Sequence, residues 1–260
     1  MGNLTFNGIT ILDTDPNPDD SMIVGVVIQT PPVYEFPSKR VDVIQIQGKN
    51  GDIIIDKNSY NNVVREYNIA SVFGSAANFI PKVRKLVDWL TSANGYARLE
   101  DSYEPDYFRL AMFRSGGQLP NFYDQATAFA LKFECKPQRF LKSGENSINI
   151  SSNAINQIIT NDNKQIALPK ITIPQAAAII TISVINDDYP EAATTITLAA
   201  DIGEDTILDS ELQDAYTATR YVNNKVMTTN GFIKLYPGDN KITVTGATSN
   251  LTLIPNWWVL

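Results

Sequence analysis

The sequence predicts a mainly β protein with one α-helix, organised as two domains, and three observations indicate this class. Short runs of β-branched residues recur along the chain and are separated by turn signals such as Asn-Gly and Pro-Gly. A single stretch, between Asn78 and Asn94, carries apolar residues at a clear helical period. Beyond Leu141 the composition shifts towards isoleucine, threonine and asparagine, with few basic residues.

Length and charge set the first limits on function. A chain of 260 residues with 43% hydrophobic residues can bury one large or two ordinary cores. The net charge of -7 argues against a dedicated nucleic-acid binder, which needs a basic patch to neutralise phosphates. The charge is uneven, with 14 basic against 16 acidic residues up to Leu141 and 7 against 12 beyond it.

The residue inventory excludes most catalytic machinery. The chain has no histidine, so it cannot form histidine-based triads, histidine zinc sites or histidine acid–base pairs. The lone cysteine, Cys135, alternates with Phe129, Leu131 and Phe133 and is predicted to be a buried structural thiol. We therefore expect no catalytic residues, no cofactor and no metal.

The first segment predicts strands joined by tight turns. Asn7-Gly8 is a hairpin signal, and Met22 to Gln29 predicts a strand that Pro31-Pro32 stops. The acidic stretch that begins at Asp13 resembles part of an EF-hand loop, but Pro18 replaces the required glycine and Val24 the final glutamate. We interpret it as a solvated loop. The start of the chain has no basic segment typical of a signal peptide, so production in the cytoplasm is expected.

An extended hairpin and a strand come next. Residues 41–47 alternate without giving a purely polar face, and Asn50-Gly51 turns the chain into a run of three isoleucines. Residues 63–69 alternate as a further strand.

The helix is predicted with Asn78 as its cap and Pro81 in its first turn, where a missing N–H has no cost. Trp89 lies at the border of the apolar stripe, either as the edge of the core or as a partner contact. The stripe itself contains Phe79, Ile80, Val83, Leu86, Val87 and Leu90.

Four carboxylates crowd into the stretch from Glu100 to Asp106. Such a group could form a glycosidase pair or a metal site, but a solvated turn with Arg98 and Arg109 as counter-charges is the preferred interpretation. Strands are predicted at 107–113 and 127–135, and residues 136–146 are interpreted as the exit from the first domain.

Beyond residue 147, short alternating segments at regular spacing predict an antiparallel sandwich. Domains are therefore expected at 1–141 and 142–260. The predicted strands include residues 171–173, 180–184, 196–198, 232–235, 242–244 and 251–253.

Several phrases of the sequence resemble one family. GKNGD, GYARLEDSYEPDYFR and CKPQRFLKSG occur in the order and spacing found in the distal tail proteins of siphophages that infect Gram-positive bacteria. LDSELQDAY, GFIKLYPGDNKITVTG and IPNWWVL resemble the C-terminal module of that family. The resemblance covers nearly the whole chain and is weakest between Ile150 and Asp201.

The resemblance implies an architectural virion protein rather than an enzyme. Its first domain, with one helix and an extended hairpin, would close six copies into a ring, and its second would be a galectin-like β-sandwich. The ring would form the baseplate hub at the tail tip, assembled in the host cytoplasm. Expected partners are the tail tube protein, the tail-associated spike or lysin protein, the tape measure protein and receptor-binding proteins. The tape measure protein and DNA would pass through the central channel. Membrane association and specific nucleic-acid binding are not expected.

Two sets of contact residues follow from this interpretation. A ring needs two complementary patches on one subunit, and the hairpin can supply one by strand addition. The candidate subunit-interface residues are Val41, Val43, Gln45, Gln47, Lys49, Asp52, Ile54 and Trp89. The candidate domain-junction residues are Arg139, Phe140, Trp257 and Trp258.

A carbohydrate-binding or carbohydrate-active protein is the alternative. It would use the carboxylates near Asp101, the aromatic loops and the sandwich module. Galectins bind sugar through a His-Asn-Arg set, which a chain without histidine cannot form in its usual arrangement.

Overall fold

A computed structural model describes residues 2–12, 22–72, 76–114, 126–175 and 178–260. The chain divides into two units, residues 1–139 with Leu260 and residues 140–259. The EF-hand-like stretch, apart from the strand that begins at Met22, lies outside the described residues.

The first unit is mainly β with one helix. The strands are β1 (Leu4–Phe6), β2 (Ile9–Leu12), β3 (Met22–Val24), β4 (Val26–Ile28), β5 (Lys39–Ile44), β6 (Ile53–Tyr60), β7 (Val63–Val72), β8 (Ala97–Asp101), β9 (Tyr107–Phe113) and β10 (Ala126–Leu141), and the helix is α1 (Ala76–Thr91).

Eight of these strands form one sheet that nearly closes into a barrel. Their order is β3-β2-β1-β8-β9-β10-β7-β4. Ile28 of β4 donates its backbone N–H to the carbonyl of Gly2, just before β1, at 3.4 Å, which brings the end strand β4 back to the chain beside β1. Asn7 and Gly8 both have positive φ, as a tight two-residue hairpin turn requires, and the predicted β1–β2 hairpin is confirmed.

Three local predictions in this unit were wrong. The strand predicted from Met22 to Gln29 is two strands, β3 and β4, which are separated at Gly25 and pair with β2 and β7. Strand β8 occupies residues that we expected to begin an acidic loop, because its backbone pairs with both β1 and β9. The helix begins at Ala76, so Asn78 is not its cap and Pro81 lies beyond its first turn. The proline removes one backbone donor, but five helical residues already precede it.

Helix α1 packs through Trp89 together with part of the stripe that we predicted. Trp89 is only 1% exposed, and its indole N–H donates to the carbonyl of Phe6 at 2.8 Å. The indole and phenyl rings meet edge to face, 6.2 Å apart. Val87, which we placed in the stripe, is exposed. The buried side of the helix is therefore rotated towards Trp89 and contains Leu86 and Leu90.

Cys135 lies in this core, as predicted, and is fully buried. Burial raises the pKa of its thiol to about 12. At pH 8 only about 1 thiol in 10⁴ is then ionised, and thiolate is the reactive form. We expect a disulfide reagent such as DTNB to leave the native protein unlabelled and to titrate one thiol in guanidinium chloride. Rapid labelling of the native protein would show that the core of the first unit opens.

The second unit contains two five-stranded sheets that share one core. Their orders are β11-β20-β13-β16-β17 and β12-β19-β14-β15-β18, and the buried cluster draws on residues of both. The strands of these sheets are β11 (Ile148–Ile150), β12 (Gln157–Asn161), β13 (Lys170–Ile173), β14 (Ile180–Asn186), β15 (Thr194–Leu198), β16 (Thr206–Asp209), β17 (Asp214–Tyr216), β18 (Val226–Thr228), β19 (Gly238–Thr245) and β20 (Leu251–Ile254). The short strand β21 (Trp258–Val259) belongs to neither sheet.

Most strands that we predicted in this unit are present, with one exception. Residues 232–235 do not form a strand and make only an isolated bridge between Ala167 and Leu235. The alternation that we read there is nevertheless real, because Ile233 and Leu235 are both buried.

Candidate functional site

The hairpin formed by β5 and β6 is the candidate functional site. These two strands pair only with each other among the described strands and form a separate two-stranded sheet. Val43 lies opposite Ile54, and Ile44 lies opposite Ile53. Gly48 and Gly51 near the turn have positive φ, which favours glycine at both positions.

One face of the hairpin carries the apolar residues that we predicted for an interface. Directly opposed side chains share a face, so Val41, Val43 and Ile54 lie together. All three are exposed, Ile54 by 66%. The polar residues predicted with them, Gln45, Gln47, Lys49 and Asp52, are also exposed and lie around the turn.

The other face is apolar as well, in keeping with the lack of a purely polar face in residues 41–47, although we did not include its residues among the interface candidates. Ile44, Ile53 and Ile55 lie on it, and all three are exposed. The signal for this face was already in the sequence, because Ile44 and Ile46 fall at the positions that a half-buried strand gives to polar residues. The hairpin therefore presents apolar side chains on both sides.

Two ion pairs bridge the strands of the hairpin. Lys39 pairs with Asp56 at 2.6 Å, and Lys57 pairs with Asp42 at 2.7 Å across the other face. Because these ion pairs are exposed to solvent, they contribute little to stability.

The hairpin is attached at its base by a small polar cluster. The backbone N–H of Asn61 donates to the carbonyl of Ser38 at 2.9 Å, and its side-chain amide donates to the Ser38 hydroxyl at 3.0 Å. The Arg40 guanidinium donates to the Asn61 amide oxygen at 3.0 Å. The base is therefore fixed while the two apolar faces project into solvent.

A hairpin with two exposed apolar faces is expected to pack against another chain. An isolated two-stranded hairpin is marginally stable in water. Exposed apolar faces with open strand edges also favour association with another chain. The arrangement therefore has the chemistry of a protein–protein interface.

Trp89 does not belong to this site. We proposed it as an interface residue, but its side chain is buried in the core of its own subunit and its indole N–H is satisfied there. It has no surface left for a partner.

The carboxylates between Glu100 and Asp106 do not form a solvated turn. Glu104 is 7% exposed and accepts hydrogen bonds from three guanidinium groups. Its partners are Arg65 at 3.1 Å, Arg109 at 3.0 Å and Arg139 at 2.9 Å. The predicted counter-charge Arg109 is correct, whereas Arg65 and Arg139 come from distant strands and were missed.

Asp101 is held in the same way. Its carboxylate accepts from the Tyr67 hydroxyl at 2.7 Å and from Arg65 at 3.4 Å. The backbone N–H groups of Tyr103 and Glu104 donate to its second oxygen. The arginine–carboxylate cluster is defined as Arg65, Asp101, Glu104, Arg109 and Arg139.

The electrostatics of this cluster indicate a structural role. Burial alone would raise the pKa of Glu104, but the Tyr34 hydroxyl and the guanidinium groups of Arg109 and Arg139 outweigh it, and the pKa lies below its ordinary value. A general acid needs the opposite shift, towards neutrality. Glu104 therefore stays ionised, and the cluster ties β7, β8, β9 and β10 together.

The domain-junction candidates have partners within their own units. Arg139 belongs to the cluster and also donates to the backbone oxygen of Leu260 at 2.6 Å. Trp257 packs against the core of the second unit, and Trp258 donates its indole N–H to the carbonyl of Ile166 at 3.0 Å. Phe140 is buried. A junction role for the four residues stays a prediction.

Within the described ranges, no group of three or more acidic or cysteine side chains is placed to hold a metal ion. In the same ranges, the single α-helix is too short or too polar to cross a membrane.

Comparison with solved structures identifies the fold. The chain matches the Dit protein of phage SPP1 over 100% of both chains, with a TM-score of 0.71 and 12% sequence identity. The chain has the distal tail protein fold. The resemblance that we found in the sequence is thus confirmed for the fold. The SPP1 protein is described as a paradigm of the hub adsorption apparatus of phages that infect Gram-positive bacteria.

Chains of a second phage assembly match with a lower TM-score. Structures of the phage p2 baseplate in its activated conformation, with strontium or with calcium, match 98% of this chain and 97% of theirs. Both have a TM-score of 0.56 at 10% identity. No protein-family model and no curated protein matches the sequence.

Proposed function

We propose that this protein is the structural hub of a phage tail tip, and that its hairpin joins copies of the chain into a closed ring. The observation that carries the proposal is the hairpin with two exposed apolar faces on a fold shared with a hub protein. Such a ring uses one patch to donate and another to receive.

The ring would contain six copies and surround a central channel. Its first unit would join the tail tube to the tail-associated spike or lysin protein, and the tape measure protein and DNA would pass through the channel. An acidic chain suits this role, since a lumen that conducts DNA must not bind phosphates. The protein would act in the virion after assembly in the host cytoplasm.

The second unit would be a peripheral docking module. Its two five-stranded sheets around one core are consistent with a galectin-like sandwich. We propose that it binds receptor-binding proteins rather than sugar.

Sedimentation velocity on the purified chain tests the ring. The expected result is a species of six times 28.8 kDa that grows with concentration at the expense of the monomer. A protein that stays monomeric at high micromolar concentration would contradict the proposal. So would turnover of cell-wall polysaccharide by the purified protein, because the Asp101 and Glu104 carboxylates are committed to arginines.

A further inference from the structure

The segment that leads into the hairpin presents two apolar side chains to solvent. We call residues 33–37 the strap. Phe36 is 90% exposed and Val33 is 74% exposed. Prolines flank and end the strap, and proline favours extended backbone at its own position and at the residue before it. In an extended chain with three residues per turn, positions 33 and 36 fall on the same side.

The strap is pinned to the first unit by its other side chains. Glu35 accepts the backbone N–H of Val64 at 3.0 Å. The Arg65 guanidinium donates to the carbonyl of Val33 at 3.3 Å and lies 4.8 Å from the centre of the Tyr34 ring.

The arginine that pins the strap is itself immobilised. Arg65 is 3% exposed and bonds to the carboxylates of Asp101 and Glu104. Burial raises the pKa of Tyr34, and a hydrogen bond with Glu104 raises it further. The phenol therefore lies next to the cluster. The apolar side chains of the strap are thus held in place before any partner arrives, and pre-organisation lowers the entropy lost on binding.

An aromatic side chain presented in this way has the character of an interface anchor. Single exposed apolar residues are common on monomers and need no explanation. Phe36 differs because it lies, with the exposed Val33, on a segment that is bonded to the first unit through the Val33 carbonyl and Glu35, and it offers most of the roughly 150–250 Å² that an aromatic side chain can bury. Aromatic anchors of this type supply a large share of binding energy.

The strap is continuous with the hairpin, which indicates its occupant. Ser38, two residues after Phe36, bonds to Asn61 at the hairpin base, and β5 begins at the next residue. Residues 33–61 contain four basic and four acidic residues, so this surface selects neither a cationic nor an anionic partner. A chain that covers the base of the hairpin must meet the strap.

We propose that Phe36 and Val33 seat on a second copy of this chain and form the anchor of the interface beside the hairpin. This inference rests on the proposed function, because it assigns the strap to the ring that the hairpin forms. The arginine–carboxylate cluster then has a role in assembly, since it positions the anchor.

The first test measures self-association of the full-length Phe36→Ser variant by sedimentation velocity. Because the side chain is almost fully exposed, the fold should be unaffected, and association should weaken by at least 10-fold. The control is Tyr221→Ser, which removes an aromatic residue that is 71% exposed on the second unit and should leave association unchanged. If the wild type associates and Phe36→Ser associates equally well, the inference is overturned and the proposed function stands. A monomeric wild type would overturn both.

The second test identifies the occupant. A benzophenone maleimide attached to the cysteine introduced by Phe36→Cys should cross-link two copies on irradiation, giving a product of twice 28.8 kDa. Cys135 is buried and should not take up the reagent. Irradiation that yields only monomer, or that yields a cross-link to a different tail protein and none to this chain, would refute a second copy as the occupant.

Discussion

Replacing Glu104 by alanine should destabilise the first unit by about 3–5 kcal/mol, the cost of removing one partner from a buried ion pair. Three guanidinium groups lie within 3.1 Å of its carboxylate oxygens. Without Glu104, Arg65 would keep its pair with Asp101, whereas the other two guanidinium groups would lose this carboxylate partner, and an excess of positive charge would remain in the cluster. The matched control is Glu66→Ala, which breaks an exposed pair with Lys132 and should cost at most about 1 kcal/mol.

The measurement is urea unfolding at fixed protein concentration, followed by hydrogen-exchange mass spectrometry so that each unit is observed separately. Loss of protection in β7 to β10 should shift to lower urea in Glu104→Ala, while the second unit should unfold as in the wild type. If the Glu104 and Glu66 substitutions lowered the stability of the first unit equally, the cluster would not have the stabilising role that we describe.

The same cluster should make the first unit acid-sensitive. A carboxyl whose pKa is lowered in the folded state stabilises the protein above its unfolded pKa, and the stabilisation is lost as pH falls through the folded value. For Glu104 the loss should therefore begin below its ordinary pKa of 4.5. In Glu104→Gln this part of the pH dependence should be missing, although stability at neutral pH should be lower.

The second large effect should come from the hairpin. The double substitution Val43→Asp with Ile54→Asp places two charges on one apolar face and should weaken self-association by at least 100-fold, about 2.7 kcal/mol. Both residues are exposed, so the monomer should fold normally. Ile44→Asp with Ile55→Asp should act similarly through the other face.

Leu212→Asp is the control for this prediction. Leu212 is 62% exposed, close to the 66% of Ile54, but it lies on the second unit. Light scattering over a concentration series should show wild-type assembly for Leu212→Asp and monomer for the hairpin variants. If the hairpin variants assembled like the control, the hairpin could not be the interface.

The sequence predicts the local features of this fold well where chemistry is local. The Asn7-Gly8 turn, the alternation from Leu131 to Cys135 and the presence of a single helix all follow from neighbouring residues. The start of the helix was wrong because our prediction gave Pro81 its most favourable position, whereas the chain tolerates it one turn later.

The errors concern contacts between residues far apart in the chain. Arg65 lies 39 positions before Glu104 and Arg139 lies 35 after it, so a local count of charges could not reveal a buried cluster. Trp89 finds its hydrogen-bond acceptor 83 positions away, at Phe6, which turns an apparent border residue into the centre of the core.

The candidate site was half visible in the sequence. One face of the hairpin could be predicted from Val41, Val43 and Ile54, but the isoleucines of the other face would ordinarily indicate burial within the same chain. No interface role was predicted for the strap, which follows the strand stop at Pro31-Pro32. Its role depends on the exposure of Phe36 and on the contact between Arg65 and Tyr34, and neither can be read from the order of the residues.

Negative-stain electron microscopy of the purified protein tests the central claim most directly. If this surface exists to join copies of the chain, class averages should show closed rings of six with a central hole, and the Val43→Asp, Ile54→Asp variant should show only small single particles. Wild-type images that contain only such single particles at the concentrations used for sedimentation would contradict the account.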